Sequence, residues 1–252
     1  MELGSGDRLL VTGATGLVGS HVAERANRLG VATRVIVRNP DAATWLSDAG
    51  VEVVAGDMTD SESLCRAVQG VTVVVHCAAK VGDWGPVEDY RDVNVKGLEA
   101  LIDVACENGS LKRFVHISSL GVYAARDHYG TDETEAPDRE GIDGYTLTKV
   151  ESEDLARQRF ADGSFPLVVL RPGFVYGPRD RTVIPRLIQR LATGGFKYLG
   201  SGEQLLNNVY IDNLVDAVFL AISRDDVLGE VFNITDDRLV TKREFIGTIA
   251  RG

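Results

Sequence analysis

A glycine-rich run near the start of the chain has the residue types and spacing of a dinucleotide-binding loop. Gly13, Gly16 and Gly19 recur every three residues, after an apolar stretch and at the start of a predicted helix. Glycines let the backbone approach a pyrophosphate, whose charge is favoured by the N–H groups of a helix N-terminus. An ordinary strand-to-helix turn is the alternative. The residues expected to contact the phosphates are Gly13, Ala14, Thr15, Gly16, Leu17, Val18 and Gly19.

Tyr145 and Lys149 lie four residues apart on another predicted helix, and therefore on one face of it. A tyrosine hydroxyl has an ordinary pKa near 10, too high for efficient proton transfer at neutral pH. A neighbouring ammonium favours the phenolate, so Lys149 is expected to lower the pKa of Tyr145; a lowering of about 3 corresponds to about 4 kcal/mol. The spacing alone is common on helix surfaces. Here, however, Ser118 and Ser119 end a predicted strand at the carboxyl edge of the sheet, where open α/β proteins bind ligands.

Charged residues at the ends of the second and third predicted strands bear on which dinucleotide binds. Arg38 stands where a contact to the adenosine ribose is expected. A guanidinium pairs with a 2′-phosphate, so NADP(H) is favoured over NAD(H). The alternative is that Arg38, like Arg34, is a solvated bystander. Asp57, with Met58 beside it, is predicted to lie against the adenine, and a helix cap is its equally favoured alternative.

The elements that must position these residues follow an alternating pattern. Short β-branched runs alternate with helical segments, as in a parallel sheet covered by helices. Runs such as VTVVVHC lack in-out alternation, as expected for strands covered on both faces. We therefore predict an α/β fold, a Rossmann-type doubly wound parallel sheet with a smaller mixed α/β C-terminal substrate lobe. The strands of the sheet are predicted at 9–12, 33–38, 51–55, 71–77, 113–118 and 167–171, and its helices at 17–29, 41–49, 61–68, 87–108 and 145–160.

The amino-acid composition changes after residue 171, where stretches rich in Gly and Pro begin. The expected division is an NAD(P)-binding Rossmann domain over 1–171 and a substrate-binding lobe over 172–252. In the lobe we predict helices at 183–191 and 213–222 and strands at 207–211 and 230–234. Thr241 and Glu244 have the spacing of a capping box that opens a further helix. Because only a few turns follow it, a C-terminal truncation is expected.

Composition excludes several classes of function. The 252 residues are 44% hydrophobic and have a formal charge of −10, which would repel a nucleic-acid backbone. No stretch approaches the roughly 18 to 20 apolar residues that span a bilayer, and the N-terminus does not resemble a signal peptide. A cytoplasmic protein without a membrane span is therefore predicted. Cys65, Cys77 and Cys106 lack the spacing of disulfides or zinc ligands and are expected to be buried thiols.

Six motifs in order resemble the extended branch of the short-chain dehydrogenase/reductase superfamily, which contains epimerases, dehydratases and 3β-hydroxysteroid dehydrogenase-like enzymes. The resemblance covers nearly the whole chain. The motifs are TGATGLVG at 12–19, HCAA at 76–79, NVKG at 94–97, SSLGVY at 118–123, YTLTK at 145–149 and RPGFVYGP at 171–178.

The resemblance implies roles for individual residues. Tyr145 would exchange the substrate proton, and Lys149 would lower its pKa and hold the nicotinamide-ribose hydroxyls. Ser119 would hydrogen-bond the reacting oxygen, with Ser118 as a structural neighbour. Asn94 would either order the proton path or serve as a helix-bend residue. Further cofactor contacts are expected from Ala78, Ala79 and Lys80 after the fourth strand and from Pro172, Gly173, Phe174 and Val175 at the nicotinamide.

Departures from the family patterns narrow the reaction. Leu120 and Gly121 stand where related dehydratases carry an acidic pair, so dehydration is disfavoured. Leu206 stands near the place where many nucleotide-sugar epimerases carry an arginine. An alcohol/ketone oxidoreductase acting on a sterol-like, ketoacyl-like or flavonoid-like substrate is therefore favoured. The alternatives are a nucleotide-sugar 4-epimerase using tightly bound NAD, which Arg179 and Arg181 keep open, and a non-enzymatic NADP-binding regulator.

Two further expectations concern surfaces. Trp84, in a loop after the fourth strand, would either form an apolar wall of the substrate site or pack beneath its own loop. A homodimer through the helices that carry Asn94 and Tyr145 is implied by the resemblance. An apolar stripe supports that dimer, although the same stripe could face the sheet. The stripe consists of Leu98, Leu101, Ile102 and Ala105.

Overall fold

The computed structural model describes residues 3–82, 84–126, 128–140, 143–163 and 165–251. Its strands are β1 (Arg8–Thr12), β2 (Ala32–Val37), β3 (Glu52–Ala55), β4 (Val73–His76), β5 (Arg113–Ile117), β6 (Leu167–Pro172), β7 (Phe174–Tyr176), β8 (Leu205–Leu206), β9 (Asn208–Tyr210), β10 (Val231–Ile234) and β11 (Val240–Thr241). A seven-stranded sheet has the order β10-β6-β5-β4-β1-β2-β3, and all its pairs are parallel. The chain runs outward from β1 in one direction and from β4 in the other, which confirms the doubly wound prediction.

Nine α-helices occur in the part of the chain that the structure describes. They are α1 (Leu17–Arg28), α2 (Thr44–Asp48), α3 (Ser61–Val68), α4 (Val87–Arg91), α5 (Gly97–Glu107), α6 (Gly144–Ala161), α7 (Val183–Ala192), α8 (Ile211–Ser223) and α9 (Lys242–Ile249). The single helix predicted over 87–108 is divided, because a π-helical turn at Asp92–Lys96 separates α4 from α5. Such turns often mark functional sites.

The core forms a layer on each face of the sheet. Along β1, Leu9 and Val11 pack with α1 and α8 on one face, whereas Leu10 packs with α3 and α5 on the other. All three side chains are fully buried. This two-sided burial explains why the central strands lack an alternating pattern.

The apolar stripe of α5 faces this core. Its four residues are buried and belong to the layer that packs against the sheet. The stripe therefore serves the fold of one chain and does not provide the apolar dimer surface that the sequence suggested. The homodimer itself stays a prediction.

Two small sheets lie outside the seven-stranded sheet in the described residues after β6. β7 pairs with β9 in parallel, and β8 pairs with β11 antiparallel. The hydroxyl of Thr241 accepts the N–H of Glu244 over 3.0 Å and begins α9, which confirms the helix start and one half of the predicted capping box. The Glu244 carboxylate accepts from Arg238 instead of completing the box. α8 packs against α1, and β10 joins the main sheet beside β6, although both follow residue 172. The division at residues 171 and 172 stays a prediction.

Some expectations about surfaces and cysteines can be compared with the structure. Cys65 is exposed and Cys77 and Cys106 are half-buried, so the prediction of three buried thiols is wrong for Cys65. Cys65 lies on the outward face of α3, next to Leu64, which packs in the core. Within the described ranges, no helix is both long and apolar enough to cross a bilayer. Nor do the described residues include a group of three His, Cys, Asp or Glu side chains suited to a metal ion.

Candidate active site

The glycine loop between β1 and α1 is packed too closely for side chains at two positions. Gly13 has φ 68°, and a Cβ there would lie 2.8 Å from the backbone nitrogen of Ala78. A Cβ on Gly19 would lie 2.5 Å from the carbonyl oxygen of Gly13. Gly16 begins α1 and offers no side chain to cap its first N–H groups. The loop therefore fits a dinucleotide pyrophosphate, which can approach the backbone and the helix N-terminus.

Thr12 ties this loop to the end of β4. Its hydroxyl oxygen accepts the N–H groups of Cys77 and Ala78 over 3.1 and 3.0 Å. The one hydroxyl hydrogen is therefore left for Nδ1 of His76, 2.9 Å away. Burial lowers the pKa of His76 to about 3, which keeps the ring neutral and able to accept. His76 thus has a structural role, because its ring connects β4 to Thr12 at the end of β1.

At the adenosine end, Arg38 and Asp57 lie near one another. Arg38 is exposed, just beyond β2. Asp57 accepts the backbone N–H and the hydroxyl of Thr59 over 2.9 and 2.8 Å. It does not cap α3, because Asp60 is the N-cap residue and accepts the N–H of Glu62. The pKa of Asp57 is lowered chiefly by the Thr59 N–H and also by the charge of Arg38. Arg34, by contrast, is buried and donates to carbonyl oxygens at the end of α3, so it is not a solvated bystander.

The structure brings Ser119, Tyr145 and Lys149 together at the carboxyl edge of the sheet. Ser119 follows β5 and hydrogen-bonds the side chain of Tyr145. Lys149 is 4% exposed, and its Nζ donates to the carbonyl oxygen of Ile117 over 2.8 Å. The same Nζ lies 5.9 Å from the ring centre of Tyr145. Asp143 begins α6 by accepting the N–H of Thr146 over 2.7 Å, which fixes the turn that carries Tyr145.

Burial dominates the electrostatics of this group. It lowers the pKa of Lys149 to about 8. It raises the pKa of Tyr145, and the charge of Asp143 acts in the same direction, whereas the hydrogen bond with Ser119 opposes the rise. The direction for Tyr145 is opposite to the one expected from the sequence. The reason is that the desolvation of the phenolate outweighs the favourable contacts.

Asn94 connects three parts of the site from within the π-helical turn. It is 2% exposed. Its Oδ1 accepts the N–H of Lys80 over 2.7 Å, and its Nδ2 donates to the carbonyl oxygen of Lys80 and to the hydroxyl of Thr148 over 3.1 and 3.0 Å. These contacts join the loop after β4 to α6, and they support the helix-bend role that the sequence left open.

The remaining residues that the sequence predicts to lie at the nicotinamide follow β4 or lie at the turn from β6 into β7. A Cβ on Gly173 would lie 1.9 Å from the carbonyl oxygen of Asn207, which accepts the N–H of Phe174 over 2.7 Å. Only glycine fits this approach of β7 to β9. The residues concerned are Ala78, Ala79, Lys80, Pro172, Gly173, Phe174 and Val175.

Trp84 and Arg179, the two candidate substrate contacts, have different surroundings. Trp84 is 93% exposed, so it does not pack beneath its own loop. Arg179 forms an ion pair with Glu24 of α1 over 2.6 Å and lies over the ring of Trp45. Because Arg179 is held at α1, it no longer supports a diphosphate clamp.

A buried polar cluster beside the site was missed in the sequence. Glu153 accepts from Arg171 and, over 2.9 Å, from the hydroxyl of Ser118. Arg171 also donates to the hydroxyl of Tyr123 over 2.6 Å. The signals were present, because Glu153 is four residues after Lys149 and Arg171 ends an otherwise apolar strand. Ser118 is thus the structural neighbour of Ser119, as predicted.

Comparisons with known proteins bear on the family of the chain. A family model described as the NAD dependent epimerase/dehydratase family matches residues 9–235. The chain is 33% identical over 252 residues to a 2-alkyl-3-oxoalkanoate reductase of Stenotrophomonas maltophilia, covering 96% of this chain and 74% of that protein. It is 29% identical over 240 residues to a 4-hydroxy-2-methyl-3-oxo-4-farnesyl-3,4-dihydroquinoline-1-oxide ketoreductase of Stigmatella aurantiaca, covering 95% of this chain and 71% of that protein.

Among solved structures, the UDP-glucuronic acid 4-epimerase of Bacillus cereus in complex with UDP-glucuronic acid and NAD superposes with a TM-score of 0.85. The two chains are 25% identical, and the match covers 97% of this chain and 82% of that one. The family is one of extended short-chain dehydrogenase/reductase members, with NAD-dependent oxidoreductases and epimerases among them. The glycine loop, the doubly wound sheet and the match over most of its length together show that this chain belongs to the NAD dependent epimerase/dehydratase family.

Proposed function

We propose that this protein is an NADP(H)-dependent oxidoreductase that interconverts a ketone and a secondary alcohol on an apolar substrate. The observation that carries the proposal is the grouping of Ser119, Tyr145 and Lys149 at the carboxyl edge of the sheet, next to the glycine loop. In this reading Asn94 and Gly173 shape the nicotinamide end of the site. The bound cofactor would supply the hydride.

The residues of the chain supply acid–base chemistry. In the direction of reduction, the hydroxyl of Tyr145 donates its proton to the carbonyl oxygen of the substrate, and Ser119 donates a hydrogen bond to the same oxygen. The ammonium of Lys149 stabilises the tyrosinate that forms. Burial raises the pKa of Tyr145, so the phenol carries the proton that it would donate in this direction.

An apolar substrate is supported by the surroundings of the site and by the relatives. Leu206 occupies the region where a nucleotide-sugar enzyme would place an arginine, and Arg179 is held by Glu24. Phe174, which directly follows Gly173, and Tyr176 both pack edge-on against Phe245 of α9. Both relatives named above reduce ketones that carry alkyl or farnesyl groups, according to their names.

Turnover tests the proposal directly. NADPH oxidation is followed with a 2-alkyl-3-oxoalkanoate for the wild type, for Tyr145→Phe and for a matched control, Tyr129→Phe, whose ring is 87% exposed. We expect loss of about 100-fold or more in kcat for Tyr145→Phe and wild-type activity for the control. Unchanged turnover in Tyr145→Phe would contradict the assigned mechanism. Binding of NADPH without turnover of any ketone would favour the regulator.

The preference for NADP(H) is tested by calorimetry with NADPH and NADH. Arg38→Ala should lose most of its affinity for NADPH and little for NADH, because the guanidinium would pair with the 2′-phosphate. Arg28→Ala, at the far end of α1, removes the same charge from an exposed position and should change neither affinity. If the wild type binds NADH more tightly than NADPH and Arg38→Ala changes neither affinity, the proposed preference for NADP(H) is wrong.

A nucleotide-sugar 4-epimerase is the second candidate, and the likeness to the Bacillus cereus epimerase favours it. Such an enzyme would use tightly bound NAD and act on a UDP-sugar. Calorimetry with UDP-glucose separates the two candidates. Binding of UDP-glucose together with interconversion to its 4-epimer would select the epimerase.

A further inference from the structure

A buried ion pair adjoins the proposed catalytic residues and takes no part in the chemistry assigned to them. Glu153 on α6 and Arg171 on β6 are each 1% exposed. Nε of Arg171 donates to Oε2 of Glu153 over 3.0 Å, and Nη2 donates to Oε1. Burying two charges is unfavourable even when they are paired, and a fold often gains as much from apolar side chains of similar volume. The pair therefore requires an explanation other than stability.

Glu153 connects α6 to the end of β5. It lies four residues after Lys149, so the carboxylate and the ammonium share one face of the helix. Oε2 of Glu153 also accepts the hydroxyl of Ser118 over 2.9 Å. Ser118 immediately precedes Ser119. The carboxylate therefore fixes the helix that carries two of the catalytic residues to the backbone that carries the third.

Arg171 extends the same connection to two further segments. Its Nη1 donates to the hydroxyl of Tyr123 over 2.6 Å, and that hydroxyl lies 3.0 Å from Oδ1 of Asn233 on β10. Arg171 also directly precedes Pro172 and the close-packed turn into β7. The guanidinium therefore links α6 to the turn that is expected to border the nicotinamide.

We propose that Glu153 and Arg171 are positioning residues, which fix α6 to the ends of β5 and β6 and set the electrostatic field at Lys149. The inference deepens the proposed function, on which it rests for the task of Lys149. It predicts that the charge of Glu153 acts on the ammonium itself and that the pair does more than hold the core together.

The groups around Lys149 make Glu153 the source of this field. The titratable side chains that face it are Tyr145 and Glu153 on α6, His76 and Cys77 at the end of β4, and His116 on β5. Burial lowers the pKa of both histidines and raises the pKa of the Cys77 thiol to about 12, so these three are neutral at neutral pH. A charged Cys77 and a charged Glu153 would both oppose the lowering of the Lys149 pKa, Cys77 more strongly. Because the Cys77 thiol is neutral at neutral pH, Glu153, charged in its ion pair, is the group that remains to oppose it.

The test is an NMR titration of the full chain with lysines labelled at Cε, in which Lys149→Met assigns the resonance. Glu153→Gln should move the midpoint of Lys149 down by about one pH unit or more, because it removes a negative charge and leaves Arg171 unpaired. Glu151→Gln is the matched control. Glu151 lies on the same helix and accepts from Nε of Arg91 with both oxygens, but it is 30% exposed. In Glu151→Gln, the titration midpoint of Lys149 should equal that of the wild type.

A second variant covers the case in which Glu153→Gln does not fold. Replacing both partners, Glu153→Met with Arg171→Met, leaves no unpaired buried charge and is expected to fold. The midpoint of Lys149 should still lie below that of the wild type, because the carboxylate on its own helix is gone. A wild-type midpoint in either folded variant would overturn the inference. The titration needs neither cofactor nor substrate, so an enzyme that reduces no ketone would refute the proposed function without deciding this outcome.

Discussion

Lys149 places a cation in surroundings that disfavour it. Burial holds its pKa at about 8, against an ordinary value of 10.5. A base whose pKa falls on folding binds its proton less tightly in the folded chain, so its charge opposes folding wherever both states are protonated. The difference corresponds to about 3 kcal/mol, present in full below pH 8 and lost as the pH rises from 8 to 10.5. The lysine therefore stays for a reason other than stability.

Lys149→Met should accordingly raise the free energy of unfolding while it abolishes turnover. At pH 7 we expect the variant to be more stable by up to about 3 kcal/mol, since methionine fills a similar volume without charge. Near pH 10 the gain should be much smaller. Urea unfolding at both pH values measures it, and Lys96→Met, at an exposed lysine, should stay close to the wild type at both. If Lys149→Met is less stable than the wild type at pH 7, the claim that burial of the Lys149 ammonium opposes folding is wrong.

Among the elements, the glycine loop shows how closely backbone segments must approach for the site to form. Gly13 and Gly30 both have positive φ, 68° and 75°. A Cβ on Gly13 would meet the backbone of Ala78, whereas a Cβ on Gly30 would meet nothing within 4 Å. The two positions share the backbone strain of a left-handed residue and differ in the space available.

This pair of glycines separates strain from steric exclusion. Gly30→Ala should lower the free energy of unfolding by about 1 kcal/mol and leave the affinity for NADPH unchanged. Gly13→Ala should lower it by about 2 to 4 kcal/mol and weaken NADPH binding at least tenfold, because β4 must move away from the loop. Chemical unfolding and calorimetry measure the two effects. If both variants lose the same stability and the same affinity for NADPH, Gly13 does not approach the backbone of Ala78 closely enough to exclude a side chain.

Local patterns predicted the elements that carry a strong period or a distinctive residue set. The apolar strands, the glycine loop and the cap at Thr241 were readable, because each depends on residues near in sequence. The apolar period of 87–108 predicted one continuous helix, and only the family resemblance offered a bend at Asn94, whose contacts to Lys80 and Thr148 reach other segments. The predicted direction of the Tyr145 pKa shift was wrong, because burial depends on the packing of the whole site and outweighs the neighbouring lysine.

At the scale of the whole molecule, the helices that follow β7 differ from one another and from the central strands in how firmly they are packed. Neither α7 nor α9 has a buried residue, whereas α8, between them in sequence, has six. Val183 and Ile188 of α7 remain 45% and 50% exposed. By contrast, every residue of β5 is buried. The apolar period of α7 therefore predicted a helix correctly but could not reveal how little of it is covered.

This contrast predicts unequal local stability, because segments with few buried contacts open without global unfolding. In hydrogen exchange followed by mass spectrometry, peptides from α7 and α9 should exchange much faster than peptides from β4, β5 and β6. α8 is the internal control, since it belongs to the same part of the chain but packs against α1. It should be protected like the central strands. Protection of α7 equal to that of β5 would mean that this helix is covered in solution by a surface that packs against its exposed apolar residues.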